Sequence, residues 1–364
     1  MSRYFPLGPR ALCAALIVML YTTVAGWAQE PKLEPAPFLG KYVRLSDAEM
    51  IAMGRGEVVS KLVSATNKRE LAVFGVVRLA IPNDFFTTKI RDIVDYKKNA
   101  GVLQIGKFSD PPRQSDLAGL TIDADDLKEL TTCTVGDCGV RMTAAQIERF
   151  RTEVDWKRKD SYARGSALAR QILFQYVTAY LAGGDSALAV YQDKKRALSL
   201  ADEFRSLVAA SPYLAEYVPE YQTYLEQFPA GQLKKVENFI YWSKEKFGLK
   251  PVITITHMTI YTVTRNGVTY VLVGSKQLYA SRYFDSSFAL TVFVQEPGDG
   301  RHDSYLMYLN RSRTAQLGGF LGGLKRSIIE GKMLGGVKKT LQQTKDRLES
   351  EYGQRAATTS AATQ

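Results

Sequence analysis

The stretch from Val252 to Asn310 constrains this chain more than any other. From Val252 to Val263 apolar and polar residues alternate with a period of two, the signature of a strand. Arg265-Asn266-Gly267-Val268 then supplies a two-residue hairpin turn, because Asn-Gly accepts the positive φ angles that such a turn needs. Strands are expected again over Val268–Tyr283, with a break at Gly274, then over Phe288–Gln295 and Ser304–Asn310. The last two are separated by a Pro297-Gly298-Asp299-Gly300 loop. Four consecutive antiparallel strands follow from this pattern.

Other segments fit around the meander. Leu71–Ile81 is rich in Val and Leu and stops at Pro82, which suits a strand. Phe86, Ile90, Ile93 and Val94 recur at helical spacing after Asn83 and Asp84. Glu49–Ser64 reads as a short helix and Val102–Phe108 as a strand. The middle of the chain is helical: after Asp123, after Thr143, over Ser161–Leu181, Lys194–Ala210 and Leu233–Phe247. Tyr213, Tyr217, Tyr221 and Tyr224 form a stripe there that suits packing or the lining of a groove. The final helix, Thr314 to Glu351, carries two apolar faces. Leu317, Phe320, Leu321, Leu324 and Ile328 share one; Met333, Leu334, Val337, Leu341 and Leu348 share another, rotated about half a turn. Its glycines 318, 319, 322, 323, 331, 335 and 336 each cost about 1 kcal/mol against alanine. Close approach of a sheet, another helix or a ligand would offset that.

Residues 1–28 have the three parts of a secretory signal: Arg3 and Arg10, the apolar run Ala11–Leu20, and small residues ending at Ala28. The apolar run is too short to cross ~30 Å of hydrocarbon comfortably. Cleavage after Ala28 leaves an exported, periplasmic or secreted chain with 46 basic and 37 acidic residues. Export argues against nucleic acid as the partner of this basic surface and leaves an anionic membrane surface as a candidate. The two cysteines beyond the signal, Cys133 and Cys138, flank a flexible Gly136. An oxidising compartment makes a local disulfide of them.

Catalytic motifs are missing. The chain has no Gly-x-Ser-x-Gly elbow, no His-Glu-x-x-His and no phosphate-binding glycine loop, and nothing in it calls for a cofactor. Asp123, Asp125 and Asp126 lack the glycine and distant glutamate of a calcium loop and suit a helix cap. His257 falls on the apolar strand face of Ile253, Ile255, Thr259 and Tyr261, either as a hydrogen-bonded core histidine or as a polar point inside a pocket. His302 falls in a solvated loop. Lys276, Arg282, Arg311 and Arg313 could meet an anion or serve as surface charge.

The order strand, helix, long helical section, antiparallel meander and glycine-rich C-terminal helix resembles the START-like helix-grip superfamily. Leu71–Ile81 with its following helix, the meander 252–310 and Leu317–Glu349 carry the resemblance, about half of the mature chain. It implies an α+β fold in which the meander grips the C-terminal helix, with 113–250 as a large helical insertion. The expected division is a signal (1–28), an extended leader (29–38), a strand-helix part (39–112), the helical section (113–250), the sheet with its helix (251–352) and a disordered tail (353–364). A cavity between sheet and helix for a lipid or other hydrophobic ligand is implied. His257, Tyr261 and Arg282 are the candidate polar contacts on the sheet. An envelope enzyme using His257 as general base, and a periplasmic interaction or assembly protein, are the alternatives.

Overall fold

The computed structural model describes residues 35–247, 250–295, 303–317 and 322–362. The expected signal, the Pro297–Gly300 loop and His302 lie outside them. In chain order, helix α1 (Pro35–Phe38) and a π-helical turn (Leu39–Val43) lead to α2 (Asp47–Gly54), then strands β1 (Val59–Val63) and β2 (Glu70–Ala80). Helices α3 (Asn83–Arg91) and α4 (Ile93–Tyr96) precede β3 (Val102–Lys107). Next come α5 (Ala124–Leu130), α6 (Ala144–Glu153), α7 (Ser161–Gly183), the short pair β4 (Val190–Tyr191) and β5 (Leu198–Ser199), and α8 (Leu200–Ala209). Helices α9 (Pro212–Tyr217) and α10 (Pro219–Gln227) lead into β6 (Val236–Phe247), β7 (Lys250–Arg265), β8 (Val268–Ala280), β9 (Ser286–Gln295) and β10 (Asp303–Arg313). Helix α11 (Gly322–Ala362) ends the chain.

Eight strands form one antiparallel sheet in the order β1-β2-β10-β9-β8-β7-β6-β3. The expected meander is present and one strand longer, because β6 pairs with β7 along its whole length. Asn266 and Gly267, at φ 50° and 77°, make the β7–β8 turn as their sequence required. β8 runs through Gly274 without a break.

The sheet is covered on both faces. Val77, Leu79, Met258, Ile260, Val271, Phe293 and Leu306 project to the first, against α3, α4 and the C-terminal half of α11. Phe74, Tyr261, Tyr270, Leu272, Leu290 and Leu309 project to the second, against the N-terminal helices and α8–α10. Ile253, Ile255 and Leu278 continue that second face beneath α7. Helices α5–α7 close on a satellite core around the Cys133–Cys138 disulfide.

Several expectations need correction. Leu233–Phe247 is largely strand, not helix. Ile240 and Trp242 pack on one face and Tyr241 on the other, so the run is apolar on both sides and loses its period of two. The helical section 113–250 therefore ends in the sheet. The supposed helix Glu49–Ser64 is α2 followed by β1, which turn at Gly56 (φ 82°). The supposed leader is helical from Pro35, and α11 continues to Ala362 through the residues expected to be disordered. Alanines 356 and 357 are strong helix formers.

The second apolar face expected in the last helix packs on the sheet. Leu341 and Leu348 are buried on β1 and β2, with Met333, Leu334 and Val337 half-buried. The fit is close: a methyl group on Gly75 of β2 would lie 2.5 Å from Val337 Cγ1. Of the first face, Leu317 is buried in the turn before α11 and Ile328 is 52% exposed. No atom of a neighbouring element among the described residues lies within 4 Å of where a methyl group would stand at Gly331, Gly335 or Gly336, so packing does not require glycine there.

Candidate functional site

An apolar cavity of about 60 Å³ lies on the second face of the sheet, opposite α11. Phe74 of β2, Leu272 of β8, Leu290 of β9 and Leu309 of β10 form its floor. The alternation of those strands sends these side chains to one face, and the register aligns them: Leu309 faces Phe74 on one side and Leu290 on the other. Phe38 of α1 with Tyr213 and Tyr217 of α9 forms the roof. The Phe38 ring meets Tyr213 edge-on at 5.8 Å and Tyr217 at 6.3 Å. Tyr213 directs its hydroxyl away to Ser211 Oγ at 2.8 Å, so that it offers the cavity mainly ring. Phe38 and Val292 are the half-buried members of the wall and mark its solvent side.

A buried polar cluster sits further along the same face. His257 is 2% exposed. Its Nε2 faces Asn238 Oδ1 at 3.0 Å, and its Nδ1 faces the Tyr180 hydroxyl at 2.9 Å. An amide oxygen can only accept, so Nε2 carries the proton and Nδ1 accepts from Tyr180. Phe228 covers the ring, with centroids 4.4 Å apart. Burial, reinforced by the Lys276 charge, lowers the imidazole pKa to about 3. The neutral ring is thus satisfied at both nitrogens, and this is a poor environment for a general base at neutral pH.

Lys276 is the residue directly across the ladder from His257 and is equally buried. Its ammonium pairs with Asp185 and lies 3.7 Å from the centroid of Phe204. Desolvation lowers its pKa to about 8, against the opposing pull of Asp185.

The three candidate contacts do not converge. Tyr261 shares the face of His257, but its ring stacks on Tyr221 and its hydroxyl donates to Glu220 at 3.0 Å. Arg282 follows β8 and forms a buried ion pair with Asp126 at the start of α5. None of the three lines the cavity. The other cations also meet carboxylates of this chain. Arg311 and Arg313 both hold Glu70, at 2.7 and 2.9 Å, and Arg313 also reaches Glu203 at 3.0 Å. Among the described residues no cluster of His, Cys, Asp and Glu could hold a metal ion. Nor is any helix among them long and apolar enough to cross a membrane.

Sequence reasoning singled out Tyr213 and Tyr217 as packing or groove-lining residues but missed Phe38. The only signal at Phe38 was an aromatic residue amid the prolines of an expected leader.

Fold and site together define an α+β protein with an antiparallel sheet covered on both faces and an aromatic-roofed cavity under its N-terminal helix. Comparisons with protein-family models, curated proteins and solved structures found no match.

Proposed function

We propose that this is an exported binding protein that takes the hydrophobic end of a lipid or other amphiphile into the cavity beneath Phe38, Tyr213 and Tyr217. The observation that carries the reading is the wall itself: strand side chains and aromatic rings line the space, with the Tyr213 and Tyr261 hydroxyls engaged elsewhere. About 60 Å³ is far below the several hundred Å³ of a pocket that swallows a drug-sized ligand. The cavity therefore suits the end of a chain or a single ring, with the rest of the ligand outside past Val292. The signal-like residues 1–28 and the disulfide favour an extracytoplasmic setting.

Protein recovered from the envelope of an expressing cell tests the proposal by native mass spectrometry followed by lipid extraction. A bound amphiphile is expected in the wild type and is expected to be depleted in Val292→Trp, which narrows the solvent side. Mass spectra showing no ligand under gentle conditions would count against it.

A further inference from the structure

Helix α11 changes character along its length. In its C-terminal half the long cations are tied down: Lys345 pairs with Glu349 at 3.0 Å, and Arg347 donates to the Asp95 and Tyr96 carbonyls at 3.0 and 2.7 Å. In its N-terminal half the inward Arg326 is likewise held, by Glu330 at 2.8 Å and by the carbonyls of Lys68 and Glu70. The outward cations are different. Lys325, Lys332 and Lys339 are exposed, seven residues apart, and have no ion pair among the described residues. At 100° per residue that spacing keeps them within about 40° of one line along the helix. A rise of 1.5 Å per residue sets them about 10 Å apart over roughly 21 Å.

The same face carries Ile328, exposed, and Ile329, half-buried, and Gly335 and Gly336 leave the backbone bare between Lys332 and Lys339. Between 322 and 340 the one acidic residue is Glu330, which is turned inward to Arg326. The outward face is thus purely cationic, apolar and small.

We propose that this face of α11 lies flat on an anionic lipid surface. Three lysines in a straight row complement a plane of negative headgroups, and the interleaved Ile328 is positioned to enter the headgroup boundary as interfacial helices do. A partner with a curved groove or a single anionic site would match such a row poorly. The site is independent of the cavity, which lies on the opposite face of the sheet.

Vesicle co-sedimentation tests it, with phosphatidylcholine vesicles set against vesicles containing phosphatidylglycerol. The full chain is expected to bind the anionic vesicles, to release them as salt is raised, and to ignore the zwitterionic ones. Each lysine near the surface is worth roughly fivefold in affinity, so Lys325→Glu, Lys332→Glu and Lys339→Glu together should weaken binding by a hundredfold or more. The three side chains hold no ion pair, so the melting temperature should not change, and that measurement checks the fold. In Ile328→Trp, the tryptophan emission should shift to the blue on anionic vesicles. Absence of binding to them, unchanged binding by the triple variant, or wild-type binding to an acidic protein or a second copy in place of vesicles would each overturn the proposal.

Discussion

The hydroxyl of Tyr221 accepts the backbone N–H of Gly274 at 2.7 Å, and donates in turn to the carbonyl of Thr259 at 2.9 Å. Gly274 and Thr259 face each other on β8 and β7, so one side chain from α10 bridges the ladder at the centre of the sheet. A methyl group on Gly274 would sit 2.6 Å from that oxygen, which explains a glycine inside an otherwise regular strand. Tyr221→Phe should cost about 1–3 kcal/mol, because it leaves a buried N–H and a buried carbonyl without their partner. Gly274→Ala should be destabilising on its own but add little to Tyr221→Phe, since both remove the same bridge. A double-mutant cycle from denaturant melts measures the coupling.

His257 makes stability depend on pH. Its folded-state pKa, about 3, is below the ordinary 6.5. Above 6.5 the ring is neutral whether the chain is folded or not. As pH falls below 6.5 the unfolded chain takes up a proton that the folded chain refuses, so stability declines toward pH 3. The contribution should reach about 3 kcal/mol near pH 4. Denaturant midpoints across that range should fall more steeply for wild type than for His257→Gln, which cannot titrate. Parallel profiles would show that the ring is not excluded from water as described.

Glu70, 1% exposed between Arg311 and Arg313, should tolerate no loss of charge. Glu70→Gln leaves the buried Arg311 without a carboxylate and Arg313 with Glu203 alone, and should cost about 3–5 kcal/mol. Removal of Arg205 should leave the melt unchanged, because it and its partner Asp202 are both 69% exposed.

The Cys133–Cys138 bond closes a small loop inside the satellite core of α5–α7. Replacing both cysteines by serine should lower stability by about 2 kcal/mol, the chain-entropy value for so short a loop. Thermal melts with and without reductant check it: wild type should lose stability on reduction and the double variant should not respond.

What the sequence made legible was local. The Asn266-Gly267 turn and the alternation around it specify β7–β10, and Pro82 marks the end of β2, because each signal lies within a few residues of its effect. β6 was hidden by its burial on both sides, where Ile240, Tyr241 and Trp242 read as one apolar run. The cavity was hidden for another reason. Phe38, Phe74, Tyr213, Leu290 and Leu309 share no local pattern and meet only through the sheet register and the return of α9 across it. Arg282 illustrates the same limit: its partner Asp126 is 156 residues away, so a buried structural pair looked from sequence like a free ligand contact.

The central claim is that the space beneath Phe38, Tyr213 and Tyr217 accepts a hydrophobic chain end. Calorimetric titration with dodecanol, comparing wild type with Val292→Trp at equal thermal stability, addresses it most directly. Saturable binding near one equivalent by wild type, weakened at least tenfold in the variant, is the expected result. Equal binding by both proteins, or no saturable binding by wild type, would contradict it.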